Sequence, residues 1–118
     1  MATAVLDLQT AFPRSGRERI GAYAWLGRMA DKARASVAGT IGEYIYPCPM
    51  DKGFLERLGV TPEQFTSWVE QGKDDAALAA ALDERTTPER RDAANRWVLV
   101  EKAESLARQD AEEGRSPS

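Results

Sequence analysis

At 118 residues, with 42% hydrophobic and 30% charged residues and a net charge of -3, the chain fits one domain with a real but modest core. The acidic balance speaks against a domain whose task is wrapping nucleic acid. The sequence has no histidine, which excludes Ser-His-Asp and Cys-His catalysis, HExxH metal sites and His-based zinc sites and leaves acid–base work to Asp, Glu, Lys, Tyr or Cys.

Residues 1–15 read as extended, 1–12 being a leader, because Pro13 holds Phe12 away from helical geometry. No signal peptide opens the chain and no apolar run approaches a membrane span. Together with a single cysteine, which permits no internal disulfide, this points to a cytoplasmic protein. Ser15 could cap a helix that begins near Gly16, with Glu18 as its reciprocal partner, and runs to Gly39. On that helix Trp25, Leu26, Met29, Ala30, Ala33 and Val37 share the apolar face, and Arg28, Asp31 and Arg34 lie opposite. Lys32 falls at the edge, near Trp25 and Met29.

Residues 42–47 alternate and are rich in aromatic and β-branched types, which predicts a short strand or extended element before Pro47 and Pro49 force a turn. Helical patterns follow. One ends at Gly59. The next is capped by Thr61, with Pro62 first in the helix, Gln64 completing the capping box, and Phe65, Trp68 and Val69 as its stripe. Another begins at Asp74 or Asp75 and buries Leu78 and Leu82. The longest opens at Thr87–Pro88, where Arg96, Val100, Ala103 and Ala107 share a stripe headed by a charge. The expected architecture is mainly α: a compact bundle of four to five helices plus the short extended element, one domain over 1–113, and a frayed tail at 114–118.

Charge is uneven along the chain. Residues 1–52 carry seven Lys/Arg against five Asp/Glu, and residues 53–118 carry nine against fourteen. A small anionic ligand would be drawn to the first half. Three blocks there, "PRS" at Pro13–Ser15, "RMADKARA" at Arg28–Ala35 and "GEYIYPCPMD" at Gly42–Asp51, agree in order and spacing with a known pattern. The chain resembles a family of small bacterial proteins classed as domain of unknown function 5069, closely over residues 13–52 and loosely beyond. Ala30 and Pro47 depart slightly from the pattern. The resemblance implies a cytoplasmic bacterial protein and brings no established reaction. It marks Arg14, Arg28, Asp31, Lys32, Arg34, Glu43, Tyr44, Tyr46, Cys48 and Asp51 as the family's polar positions.

Each candidate has a functional and a plain reading. Cys48 as N-cap, with Pro49 first in the helix and Asp51 three residues on, would face free N–H groups that favour thiolate; with Asp51 as the cap instead, it is a small packed group. Lys32 is either a buried base or Schiff-base amine, or a stem along Trp25 with its ammonium in water. Asp31, within reach of both Arg28 and Arg34, makes either an anion clamp, with Arg14 brought close by the Pro13 bend, or a solvated ion-pair ladder. Tyr44 and Tyr46 share one side of the extended segment and are either oxyanion donors or core rings.

The reading favoured by this density of ionisable residues is a small cofactor-independent enzyme of isomerase, lyase or cyclase type. It would act by acid–base chemistry, without metal, on a small anionic or carbonyl-bearing metabolite. Asp31, Lys32, Tyr44, Tyr46 and Cys48 would be catalytic, and Arg14, Arg28, Arg34, Glu43, Asp51 and Arg96 would bind. A non-catalytic ligand- or protein-binding regulatory module is the alternative. A helix-turn-helix over residues 58–73 is disfavoured by Glu63, Glu70, Asp74 and Asp75 where DNA contacts need cations. Neither nucleic acid nor a membrane is an expected partner; a homodimer is left open.

Overall fold

The computed structural model describes residues 5–115. The first four residues of the expected leader and the last three of the expected tail lie outside it. Among the described residues there are six α-helices: α1 (Leu26–Ala38), α2 (Pro49–Leu58), α3 (Pro62–Glu70), α4 (Asp75–Arg85), α5 (Pro88–Arg96) and α6 (Ala103–Glu112). A π-helical turn at Trp97–Glu101 separates the last two. The fold is thus mainly α, with one or two helices more than the sequence suggested and no strand among the described residues. Its only β feature there is an isolated bridge between Ile20 and Tyr23. No helix among the described residues is long and apolar enough to cross a membrane.

Local signals set most helix ends. Thr61 Oγ1 accepts from Gln64 N at 3.1 Å and Gln64 Oε1 accepts from Thr61 N at 3.0 Å, a complete capping box ahead of Pro62. Asp74 caps α4 through Ala77 N, and Thr87 caps α5 through Arg90 N. Gly39 and Gly59 end α1 and α2 in the left-handed conformation that glycine adopts freely.

The first helix is a correction. It begins at Leu26 rather than near Gly16, and Ser15 does not cap it; Ser15 Oγ accepts from Arg17 N in a turn. Tyr23 pairs its backbone with Ile20, and the flanking Ala22 O and Ala24 N are paired by a distant side chain. Asn95 accepts from Ala24 N at 3.1 Å and donates to Ala22 O at 2.8 Å. Gly16 lies against the Trp25 ring, where a Cβ would stand 2.5 Å from Cε3. Trp25 itself has φ 68°, unusual for a non-glycine residue and worth about 1–3 kcal/mol of strain. That conformation is held by its own N–H, which donates to Gly16 O at 2.8 Å, and by complete burial of the ring.

Trp25, just ahead of α1, and Leu26 and Met29 of α1 meet Phe54 and Leu55 of α2, Phe65 of α3, and Leu78 and Leu82 of α4 in one core. α1 packs on α3, and α2 on α5. The expected stripe along the last helix is also corrected. Arg96, Val100 and Ala107 are exposed, and the buried positions from α5 to α6 are Ala94, Asn95, Val98, Leu106 and Asp110. The π turn inserts its extra residue and rotates α6 out of phase with α5. Val37, expected on the apolar face of α1, is exposed as well.

Candidate functional site

The segment from Gly42 to Cys48 is neither strand nor helix; it is a pair of turns with Gly42 at φ 63°. The expected extended element is therefore replaced by a loop, and the two tyrosines do not share a side. Tyr46 turns away and its hydroxyl lies 2.8 Å from Thr66 Oγ1, packed against the core. Burial is the main reason its phenol is pushed up to about 12. Tyr44 turns the other way, into the wall of a cavity of about 750 Å3.

That cavity is lined by Arg28 and Lys32 from α1, Glu43, Tyr44, Ile45 and Cys48 from the loop, Gln109 and Glu112 from α6, and Glu113 just after it. Leu8 and Phe12 of the N-terminal stretch complete one side.

Cys48 is the N-cap residue of α2, with extended backbone, and Pro49 holds the first helical position. Asp51 Oδ2 accepts from Cys48 N at 2.9 Å. The same oxygen lies 2.8 Å from Lys32 Nζ, while Oδ1 accepts from Trp25 Nε1 at 2.9 Å. Asp51 is completely buried, so this carboxylate is the fixed base under the site and does not face the cavity. Lys32, 3% exposed, donates in addition to Ile45 O and Cys48 Sγ, both at 3.2 Å, and stands over the Trp25 ring at 5.5 Å. It therefore does not extend its ammonium into water. A buried ammonium is tolerable here because a carboxylate, a carbonyl and a sulfur together replace its hydration.

Arg28 makes the second half of the floor. It is 4% exposed, lies between the rings of Trp25 (5.9 Å) and Tyr44 (5.7 Å), and grips Glu113 with two hydrogen bonds of 2.8 and 2.7 Å. Tyr44 donates its hydroxyl to Glu113 Oε2 at 3.0 Å, and Arg115 pairs with the other oxygen. Burial above all, and then the hydrogen bond to Glu113 and its charge, push the Tyr44 phenol up to about 12, so it keeps its proton near neutrality. Burial works to raise Glu113, but hydrogen bonds from Arg28, Tyr44 and Arg115 and the charge of Arg28 outweigh it. The carboxyl is held below its ordinary value. Two wall residues carry buried polar atoms without a hydrogen-bond partner among the described residues, Arg28 Nε and Gln109 Oε1.

Asp31 is a correction: it pairs with neither Arg28 nor Arg34. Arg14 takes it with its backbone N (2.9 Å), Nε (3.1 Å) and a terminal nitrogen (3.0 Å). Arg14 also reaches Asp75 at 2.8 Å, and Arg34 meets Asp75 at 2.9 Å. Arg14, Asp31, Arg34 and Asp75 thus form a separate ion cluster that ties the N-terminal stretch and α1 to α4, and none of the four lines the cavity. It is not a solvated ladder either, since Asp31 and Arg34 are each 6% exposed. Arg96 is exposed on α5 and belongs to neither group.

Arg28, Lys32, Glu43, Tyr44 and Cys48 therefore converge on one hollow, with Asp51 beneath. Gln109, Glu112 and Glu113 complete its lining and were not expected in it; Trp25, fully buried, lies beneath with Asp51. Among the described residues no group of three or more carboxylate or thiol side chains is arranged to hold a metal ion.

A family model described as a domain of unknown function (DUF5069) matches residues 10–116. The chain belongs to that family. No curated protein matches it.

Proposed function

We propose that this chain is a small enzyme that moves a proton on a carbonyl-bearing metabolite, in a reaction of isomerase, lyase or cyclase type. The observation that carries the reading is the 3.2 Å contact between Lys32 Nζ and Cys48 Sγ on the floor of an open cavity. Cys48 serves as the base: its sulfur takes a proton from the carbon next to the carbonyl and later returns it. The Lys32 ammonium, fixed by Asp51, balances charge on the sulfur. The oxyanion that develops on the substrate lies toward Arg28 Nε, the guanidinium donor that has no partner among the described residues, while Tyr44 holds Glu113 in place with its one hydroxyl proton. Glu43, Glu112 and Glu113 in the lining outnumber Arg28 and Lys32, which favours a neutral or singly charged substrate over a multiply charged anion. The partnerless Arg28 Nε and Gln109 Oε1 support a site completed by a ligand, since a buried unmade hydrogen bond costs about 1–3 kcal/mol.

Exchange of solvent deuterium into a panel of small aldehydes, ketones and 2-oxo acids, followed by proton NMR, tests this. Exchange should occur with at least one class and fall by about 10²–10⁴-fold in Cys48→Ser and Lys32→Met.

A second reading, a ligand-binding module without chemistry, is favoured by one observation: every N–H of Lys32 already has a protein partner. A compound that binds without exchange, with affinity unchanged in Cys48→Ser, would select it. The exposed carboxylates Glu63, Glu70 and Asp74 on and after α3 argue against a DNA partner for that helix.

A further inference from the structure

We infer that Lys32 and Cys48 form a site of reversible oxidative modification, a covalent S–N link made after a hydroperoxide oxidises the thiol. Three features of the structure carry this. Sulfur and nitrogen stand 3.2 Å apart, a contact that already directs the lysine nitrogen at the sulfur. Cys48 is half-buried and lines the cavity, so a molecule as small as hydrogen peroxide reaches the sulfur from solvent. Both residues are rooted in helices, Lys32 within α1 and Cys48 at the start of α2, and the pair is braced by Asp51. The two atoms are therefore held together and do not meet by chance.

The chemistry balances in two steps. In the first, the sulfur attacks one peroxide oxygen, the O–O bond breaks, one water leaves, and Cys48 becomes a sulfenic acid; the thiol loses two electrons and the peroxide gains them. In the second, Lys32 gives one proton to the Asp51 carboxylate 2.8 Å away and its nitrogen lone pair attacks the sulfur. The S–N bond forms as the S–O bond breaks, and hydroxide departs with the second nitrogen proton as water. A backbone nitrogen performs the same closure in other sulfenic acids. Here a side-chain nitrogen is nearer than any disulfide partner within the chain, because Cys48 is the only cysteine. A thiol reductant reverses it by attack on sulfur and return of the amine.

The link would remove the ammonium from Asp51 and pin α1 to the head of α2 across the cavity floor. On the proton-transfer reading above, that silences both members of the pair at once. The link itself depends only on the geometry.

The test treats the native full chain with a small molar excess of hydrogen peroxide near neutral pH and measures intact mass and tryptic peptides without reductant. The expected product is lighter than the starting protein by two hydrogen atoms. It contains one peptide pair joined between Lys32 and Cys48, and dithiothreitol restores the original mass. Lys32→Arg, which keeps the positive charge, and Cys48→Ser should both fail to form it. Three results would overturn the inference: a sulfenic acid that dimedone captures in full with no joined peptide, direct conversion to sulfinic acid, or a disulfide between two copies as the main product. Failure of deuterium exchange in the preceding experiment would leave the mass result untouched, so the two ideas fall separately.

Discussion

Replacing Asp51 by Asn probes the floor of the site. The side chain keeps its shape but loses its charge, and one of its oxygens becomes an NH2 group. In the native protein the two oxygens receive Trp25 Nε1, Cys48 N and Lys32 Nζ at 2.9, 2.9 and 2.8 Å, and the carboxylate is completely buried. Asparagine can still accept from one side, so at least one of these donors then faces another donor. Lys32, 3% exposed, is left as a buried charge with no counter-charge. Breaking a buried pair in this way costs about 3–5 kcal/mol, and the weakened N-terminus of α2 lies within that range, since a lost cap is worth about 1 kcal/mol. Against a total stability of about 5–15 kcal/mol for a domain, the variant should be severely weakened. Urea unfolding followed by circular dichroism measures it, with an unchanged slope as the sign that the same transition is observed. The double variant Lys32→Met/Asp51→Asn removes the stranded charge and should recover part of the loss. A cost below about 1 kcal/mol for Asp51→Asn, in the range of an exposed ion pair, would refute the buried-pair reasoning.

Stability should also respond to acid. Asp75 is held below its ordinary value chiefly by the hydrogen bond from Arg14, against burial and with help from Arg34. Glu113 is held down by Arg28 and its neighbours despite burial. For carboxyls depressed in the folded state, the stabilisation is complete above the ordinary value, 4.5 for glutamate, and is lost as pH falls through the folded one. Unfolding free energy should be level from neutrality to about pH 5 and fall below that, and Glu113→Gln should flatten part of the fall. Gly16→Ala should destabilise by about 1–3 kcal/mol, read from the urea midpoint, because its Cβ meets Trp25 Cε3 at 2.5 Å and Leu106 Cδ2 at 2.7 Å. Thr61→Ala removes the α3 cap and should cost about 1 kcal/mol by the same assay without touching the cavity.

What the sequence makes legible here is local. The Thr61–Pro62–Gln64 and Cys48–Pro49–Asp51 patterns declare helix starts because the partners lie within three residues of each other. Gly39 and Gly59 declare ends for a similar reason. The cavity floor was half legible, since Arg28, Lys32, Tyr44 and Cys48 lie within twenty-one positions of one another. Glu113 was invisible because it is 85 residues from Arg28 and reads, at the end of the last helical segment and next to the expected frayed tail, as one more solvated carboxylate. The one signal was indirect: an arginine on a helix packed into the core needs a carboxylate somewhere. The false start of α1 has the same origin. Ser15 and Glu18 have cap spacing, but Ala22 O and Ala24 N are paired by Asn95, and no local pattern announces a partner that far away. The outward stripe at Arg96 and Val100 assumed an unbroken helical period, which the π turn interrupts.

Alkylation of Cys48 by iodoacetamide in the native protein, timed by mass spectrometry near neutral pH, tests most directly whether the thiol opens onto the cavity beside the Lys32 ammonium. The expected result is complete modification of the folded wild-type chain, with the far-ultraviolet circular dichroism unchanged and a clearly slower reaction in Lys32→Met. A thiol that reacts only after urea unfolding, or at the same rate with and without the lysine, would contradict it.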